Sequence, residues 1–438
     1  MRDLLLAALL FYACARAVRA PWVGIVAWTI VSIMNPHKLS WVLGQLPVAA
    51  MVGGATLVGI VFSRDRKRYP WRRETVVLVM MMLWFSLTSL LAPVSADAFE
   101  LWKKVMKIDF MILVSIGVLY SRRHIMALAA AIAFSIGFYG FKGGIFTLST
   151  GGSYRVWGPE GSYIEGNNEI ALVLVMTIPL LRFLQLNVAN RWIKHFLMAA
   201  QVLSAVAALG TQSRGALLAL ASMAVMLWWR GKQKFLPGIG LLLVSICLIA
   251  FMPSEWSDRM NTINSYDQDE SAMGRINAWW MAWNLAKDHF FGGGFDVISA
   301  ENFARYAPVA HDVHAAHSIY FQILGEHGFV GLLLFLMLWT FTWRSAGQLH
   351  KLDHAKPETG WLSDLGGMCQ VSLVGYAVGG AFLSLAYFDL PYNIMALVVL
   401  GRSWHDRKGW TDEVRSIPSA VRRAESAAGE RLSALRGR

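Results

Sequence analysis

The sequence is poor in charge. Only 16% of its 438 residues are Asp, Glu, Lys or Arg, while 56% are hydrophobic; soluble domains carry roughly 25% charged residues. The shortage is spread over many apolar runs. This argues against an ordinary soluble chain and for an all-α polytopic membrane protein, because a span in lipid must satisfy its own backbone hydrogen bonds. Cysteine is scarcer still. Cys14, Cys247 and Cys369 each lie in an apolar run, which leaves no basis for a disulfide framework or a zinc site. No internal repeat is visible. No cleavable signal is evident either, since Leu4–Val18 runs straight into Arg19, Pro21 and further apolar sequence. What the chain has in excess is positive charge, a formal +12. It sits in short clusters between apolar runs, as the positive-inside rule expects of cytoplasmic loops, and so does not point to nucleic acid.

Six basic clusters anchor the topology: Ser63–Arg73, Ser121–His124, Arg182–Lys194, Arg230–Lys234, Arg344–Lys356 and the tail from Arg402. With all six in the cytoplasm, Val42–Phe62 runs inward, Thr75–Leu91 outward and Ile108–Tyr120 inward. Ile125–Thr147, Glu169–Leu181, Phe196–Leu209, Ala216–Trp229 and Phe235–Met252 then alternate, followed by Ile319–Trp343, Gly366–Phe388 and Tyr392–Gly401. Leu4–Val18 and Pro21–Met34 give either one element kinked at Pro21, making about 12 spans, or two short helices, making 13. The first is favoured because Leu4–Val18 is short for a span of about 20 residues. The expected organisation is a first part of the bundle over 1–252, an external loop over 253–318, a second part over 319–401 and a basic cytoplasmic tail over 402–438. Between Pro253 and His317 nine acidic residues face four basic ones, which suits an external loop. Trp279, Trp280 and Trp283 within Arg275–Lys287 form an amphipathic pattern suited to the membrane interface.

Polar chemistry gathers on this outer face. Thr211-Gln-Ser-Arg-Gly215 is a tight turn between two spans, with Arg214 at the end where positive charge is disfavoured and Ser213 and Gly215 allowing close backbone approach. A snorkelling interfacial arginine is the plain alternative. Gly274-Arg275 opens the tryptophan-rich helix, where a surface arginine is the default. Val313–Gly331 carries His314, His317, Glu326 and His327. His317 stands at the entry to Ile319–Trp343 with Ser318 as a possible cap, a position where an imidazole can act as general base on a hydroxyl. His311, His314 and His317 recur at i, i+3, i+6, so a metal site with Asp312 as fourth ligand competes with that reading. Helical geometry fans the three by about 60° each. Glu326 and His327 read most simply as a polar pair facing the bundle interior. Two arginines can grip a diphosphate bidentately, and a diphosphate leaves with charge stabilisation alone and no cofactor.

The order of these pieces resembles the O-antigen ligase and polymerase superfamily of bacterial polytopic glycosyltransferases. The resemblance rests on Ser213–Gly215, the long external loop, Gly274-Arg275, Gly292–Phe295 and His317–Gly331, over roughly Asn167 to Gly331. The segments Met34–Trp41 and Gly158–Leu172 resemble O-glycosylation ligases that accompany exosortases. The resemblance implies a multi-pass protein of the bacterial inner membrane whose site faces the periplasm. Its donor would be a glycan on undecaprenyl diphosphate, its acceptor a sugar hydroxyl of lipid A–core, and membrane lipids its surroundings. It implies Arg214 and Arg275 on the diphosphate and His317 as base. Ser213, His314, Tyr320 and Glu326 would be supporting residues, and transfer would be inverting and metal-independent, with no cofactor. An O-antigen polymerase or a protein O-glycosylation ligase would use the same donor. A transporter of lipid-linked sugars is the rival of another class, though repeat symmetry and broken midplane helices are its usual marks.

Overall fold

The computed structural model describes residues 2–40, 42–63, 69–92, 96–230 and 270–411. The expected span Phe235–Met252, the first part of the external loop to residue 269 and most of the tail lie outside them. Among the described residues there are fourteen α-helices and no strand. In chain order they are α1 Arg2–Arg19, α2 Pro21–Met34, α3 Val48–Phe62, α4 Arg73–Leu91, α5 Ala96–Val118, α6 Arg122–Ser149 and α7 Asn167–Asn187. There follow α8 Arg191–Gly210, α9 Arg214–Arg230, α10 Glu270–Asp288, α11 Ala300–Tyr306, α12 Ile319–His350, α13 Gly360–Gly379 and α14 Asp389–Asp406. Six segments are long and apolar enough to cross a membrane: α4, α6, α7, α8, α12 and Gly360–Phe382; α2 and α3 are apolar but shorter. The fold is an all-α membrane-type bundle.

The helix most enclosed is α14, in which every residue from Asp389 to Gly401 is buried. A helix apolar all round belongs in the centre of a bundle, and α2, α4, α5, α6, α12 and α13 all contact it. Small residues let its neighbours close in. A Cβ on Gly140 of α6 would come within 2.1 Å of Ser204 on α8, and one on Gly144 within 2.4 Å of the Leu203 carbonyl. Close helix approach through small residues is the usual packing device where lipid supplies no hydrophobic drive between helices.

The N-terminal stretch corrects the single kinked element. Ala20 (φ −142°, ψ 87°) ends α1, and Pro21 opens α2 at a position where its missing N–H costs nothing. A Cβ on Gly24 would lie 2.7 Å from that of Ala17, whereas a through-running helix keeps residues seven apart about 10 Å from each other. Two helices folded against one another form instead. The expected span Val42–Phe62 is also shorter: Leu43–Gln45 is a 3-10 turn, and α3 begins only after Pro47.

The tryptophan-rich helix forms as expected and gathers a small core of its own. Ala278, Met281 and Leu285 of α10 pack with Val297, Phe303 of α11 and Ala316, while Trp280 and Trp283 stay exposed. The Trp279 indole stacks on Phe321 (5.0 Å, 6°) and donates to the Ala316 carbonyl at 2.6 Å. Asn277 clasps the returning loop, donating to the carbonyls of Val309 and Asp312 and accepting from the Val309 N–H. The external segment is thereby fixed to the top of α12.

Candidate active site

Three structural elements carry the residues singled out above, and they meet at one end of the bundle. The turn before α9 is held from below: Gln212 adopts a left-handed φ of 56°, Asn167 donates to the Thr211 carbonyl at 2.9 Å, and Arg155 donates to Gln212 at 3.1 Å. Ser213 caps α9 by accepting from the Ala216 N–H, a role set by the orphan N–H groups of a helix start. Ser213 is thus structural as well as adjacent to Arg214, which is half-buried at the first position of α9.

The start of α9 and the start of α12 flank the same turn, Gly380–Phe382 after α13. A Cβ on Gly215 would touch Phe382 at 3.3 Å, and one on Gly380 would meet Ile319 at 2.6 Å. Tyr320 secures this junction by donating to the Ala377 carbonyl at 2.9 Å. The start of α9, which carries Arg214, and the start of α12, which His317 precedes by two residues, therefore border the same turn.

Arg275 approaches from the external segment. Gly274 lies flat against the imidazole of His314, where a Cβ would come within 2.7 Å of Nδ1. His314 itself is engaged by the Asp312 carboxylate at 2.7 Å. His317 differs on both counts. Its φ of 42° is a left-handed conformation that a non-glycine residue adopts at a cost, and its Nδ1 is buried with no hydrogen-bond partner among the described residues. Burial, then the charge of Arg275, then His314, push its imidazole down to about 4. The ring is neutral at physiological pH and can accept a proton.

Sequence reading missed Glu169. It stands in the first turn of α7, within electrostatic reach of Arg275 and two residues after the Asn167 that braces the Arg214 turn. An acidic residue at a helix start is ordinary, so nothing in the pattern set it apart. Among the described residues no three His, Cys, Asp or Glu side chains converge as ligands of one ion.

Glu326 and His327 lie below this site, in a buried cluster of their own. Tyr387 donates to the Glu326 carboxylate, His327 Nε2 lies 2.9 Å from the Tyr387 hydroxyl and Nδ1 2.7 Å from Thr88, and its ring stacks on Phe85 at 3.8 Å. They mark a break in α12: Gly328 leaves helical geometry (φ 67°, ψ −170°), and a helix break frees backbone carbonyls. The glycine loop takes them up, with Gly293 N–H donating to the Gly325 carbonyl at 2.9 Å and Gly294 N–H to that of Glu326 at 2.8 Å. Gly292, at φ 73°, has room for no Cβ, which would fall 2.6 Å from the Gly328 nitrogen. The segments Gly292–Phe295 and Gly325–Gly328 are thus two halves of one joint.

A bundle of apolar helices with two arginines, a histidine whose Nδ1 has no hydrogen-bond partner among the described residues, and a braced connecting segment at one end has the build of a polytopic membrane protein with a polar site at that end. Residues 199–336 match the family model described as O-antigen ligase. The match covers the second part of α8, then α9, α10, α11 and the broken first half of α12, so Arg214, Arg275, His317 and the glycine joint all fall inside it. Residues 1–189 match a family of unknown function, which lends no support to a likeness with exosortase-associated ligases. No curated protein matches the chain. The match over residues 199–336 supports a membrane glycosyltransferase of the O-antigen ligase type, with a lipid-linked glycan and an acceptor as partners in general terms.

Proposed function

We propose that the protein is an O-antigen ligase that transfers a glycan from undecaprenyl diphosphate to a sugar hydroxyl of lipid A–core at the periplasmic face of the inner membrane. Arg214 and Arg275 hold the diphosphate, and His317 accepts the proton of the attacking hydroxyl. The acceptor oxygen bonds to the anomeric carbon as the bond from that carbon to the diphosphate oxygen breaks. Attack opposite the leaving group inverts the anomeric centre, and undecaprenyl diphosphate departs with its charge between the two guanidinium groups. No step in this scheme calls for a metal or a cofactor.

The observation that carries the reading is the contrast between the two nearby histidines. His314 is occupied by Asp312, whereas His317 offers a buried, unpartnered nitrogen beside Arg275. That neighbour also supplies a logic for timing. With the site empty, the arginine charge keeps the imidazole a weak base. A bound diphosphate offsets that charge and raises basicity when the donor is in place. An O-antigen polymerase or a protein O-glycosylation ligase would share this donor chemistry and differ only in acceptor. The test is a reconstituted assay offering lipid A–core, a second lipid-linked glycan and a protein acceptor to the purified protein with one donor. Glycan on lipid A–core supports the ligase; product only on the lipid-linked or protein acceptor overturns it.

A further inference from the structure

The N-terminal segment contains a second site that the transfer chemistry leaves unused. A cavity of about 780 Å³ opens between the Asn35–Lys38 turn, α3, α5 from Glu100 to Met111 and the Gly161–Tyr163 turn. It is made by short-range rules. Asn35 ends α2 in the left-handed conformation (φ 51°, ψ 48°), and Pro36 prevents continuation, so His37 and Lys38 turn over the cavity mouth. On α5 the lining residues Glu100, Lys104, Lys107, Ile108 and Met111 recur at three- and four-residue spacing and so share one face. On α3 the wall is Ala50, Gly53, Gly54 and Leu57. Gly54 faces open space, since a Cβ there would meet nothing within 4 Å.

The cavity is amphipathic from end to end. Its mouth carries three ammonium groups from two elements: Lys104 of α5 lies over the Tyr163 ring at 3.5 Å, Lys107 lies one turn further along α5, and Lys38 of the turn after α2 approaches Gly161. Lys38 and Lys104 are near enough to repel, an arrangement that an anion between them would relieve. The two lining carboxylates are engaged, Glu100 with Lys103 and Asp389 with the Ser32 hydroxyl, although Asp389 also lies in electrostatic reach of Lys104. Two polar atoms at the lining have no partner among the described residues: Nδ1 of His37, a residue only 8% exposed, and the Tyr163 hydroxyl. Deeper in, the walls are apolar, and Met51 and Phe110 beside them are exposed at the bundle surface, where lipid would lie.

We propose that this cavity binds a lipid with an anionic phosphate headgroup, the phosphate between Lys38, Lys104 and Lys107 and the hydrocarbon along the Gly54 wall of α3. Basic side chains at a membrane surface select anionic headgroups, and an apolar slot holds the chain. None of Arg214, Arg275 and His317 lines the cavity, and its occupancy does not depend on the transfer reading.

The test is native mass spectrometry of the full chain in detergent, titrated separately with phosphatidylglycerol, phosphatidylcholine and inorganic phosphate. Wild type should retain phosphatidylglycerol in preference to phosphatidylcholine. Lys38→Gln, Lys104→Gln and Lys107→Gln should each weaken retention about fivefold, and the triple variant roughly a hundredfold. Gly54→Leu, which adds bulk at a wall position where a Cβ meets no other atom within 4 Å, should weaken it with all three lysines intact. Arg214→Ala and Arg275→Ala should leave it unchanged, so failure here and failure of the transfer reading are distinguishable. Equal retention of the two lipids, or wild-type retention in the triple variant, would overturn the proposal. So would displacement of phosphatidylglycerol by millimolar phosphate with Gly54→Leu binding as wild type, since that describes a site for a soluble anion.

Discussion

The guanidinium of Arg275 lies close enough to His317 for its charge to be felt at the imidazole, and the clasp of Asn277 on the returning loop brings the two together. Burial and this charge act in the same direction, both disfavouring the protonated ring. The neutral ring is the base, so activity should be present above the depressed pKa and lost as pH falls through it. The acid limb of kcat/KM, which reports the free enzyme, should therefore lie near 4, well below the ordinary histidine value of about 6.5. The limb of kcat, which reports the donor complex, should lie higher because the diphosphate offsets Arg275. Arg275→Gln should move the kcat/KM limb up. A wild-type limb at the ordinary value, unmoved in that variant, would remove the coupling.

The two arginines are distinguishable from surface charges by what replaces them. Arg214→Ala and Arg275→Ala should each weaken donor binding by about 1.5–3 kcal/mol, roughly ten- to hundredfold, the worth of a charge-assisted contact. Lysine should rescue poorly, since it keeps the charge and loses the planar fork. The measurement is donor affinity by titration calorimetry in each variant. Wild-type affinity in both lysine variants would make these arginines snorkelling residues.

Because His314 is already paired with Asp312, His314→Ala should reduce transfer less than His317→Ala does, and EDTA should leave transfer intact. If the histidines shared an ion, His311→Ala, His314→Ala and His317→Ala would be comparably severe and added zinc would restore a chelated sample. Initial rates of the three variants with and without chelator decide between these.

The glycine joint carries a stability prediction. Gly292→Ala places a methyl against the Gly328 backbone at a positive φ, whereas Gly151→Ala meets the same φ problem (61°) in open space. Strain of this kind costs on the order of 1–3 kcal/mol, and the clash should make Gly292→Ala the more destabilising of the two. Thermal unfolding in detergent measures both. Equal midpoints would mean that the loop does not dock on the break in α12.

Much of this architecture was legible because membrane helices announce themselves locally. Apolar runs gave α4, α6, α7, α8 and α12 with ends shifted by up to seven residues, and the tryptophan pattern gave α10. What was not legible depended on contacts between distant segments. The fold-back of α1 brings Ala17 against Gly24 of α2 and Gly59 of α3, a pairing that no periodicity encodes. The partnership of Gly292–Phe295 with Gly325–Gly328 is backbone to backbone, so side-chain patterns could not show it. Among the candidate residues, Arg275, His314 and His317 do gather, while Glu326 turns out to sit in the joint with His327 and Tyr387. The lysines of the N-terminal cavity come from two elements far apart in sequence, Lys38 after α2 and Lys104 and Lys107 on α5, and no local pattern joins them.

The most direct test of the central claim is to measure donor binding and transfer side by side in His317→Ala. If His317 is the base, the variant should bind undecaprenyl diphosphate-linked glycan with wild-type affinity while its transfer rate to lipid A–core falls by about 10²–10⁴. Transfer at the wild-type rate, or donor binding lost in the same proportion as transfer, would contradict it.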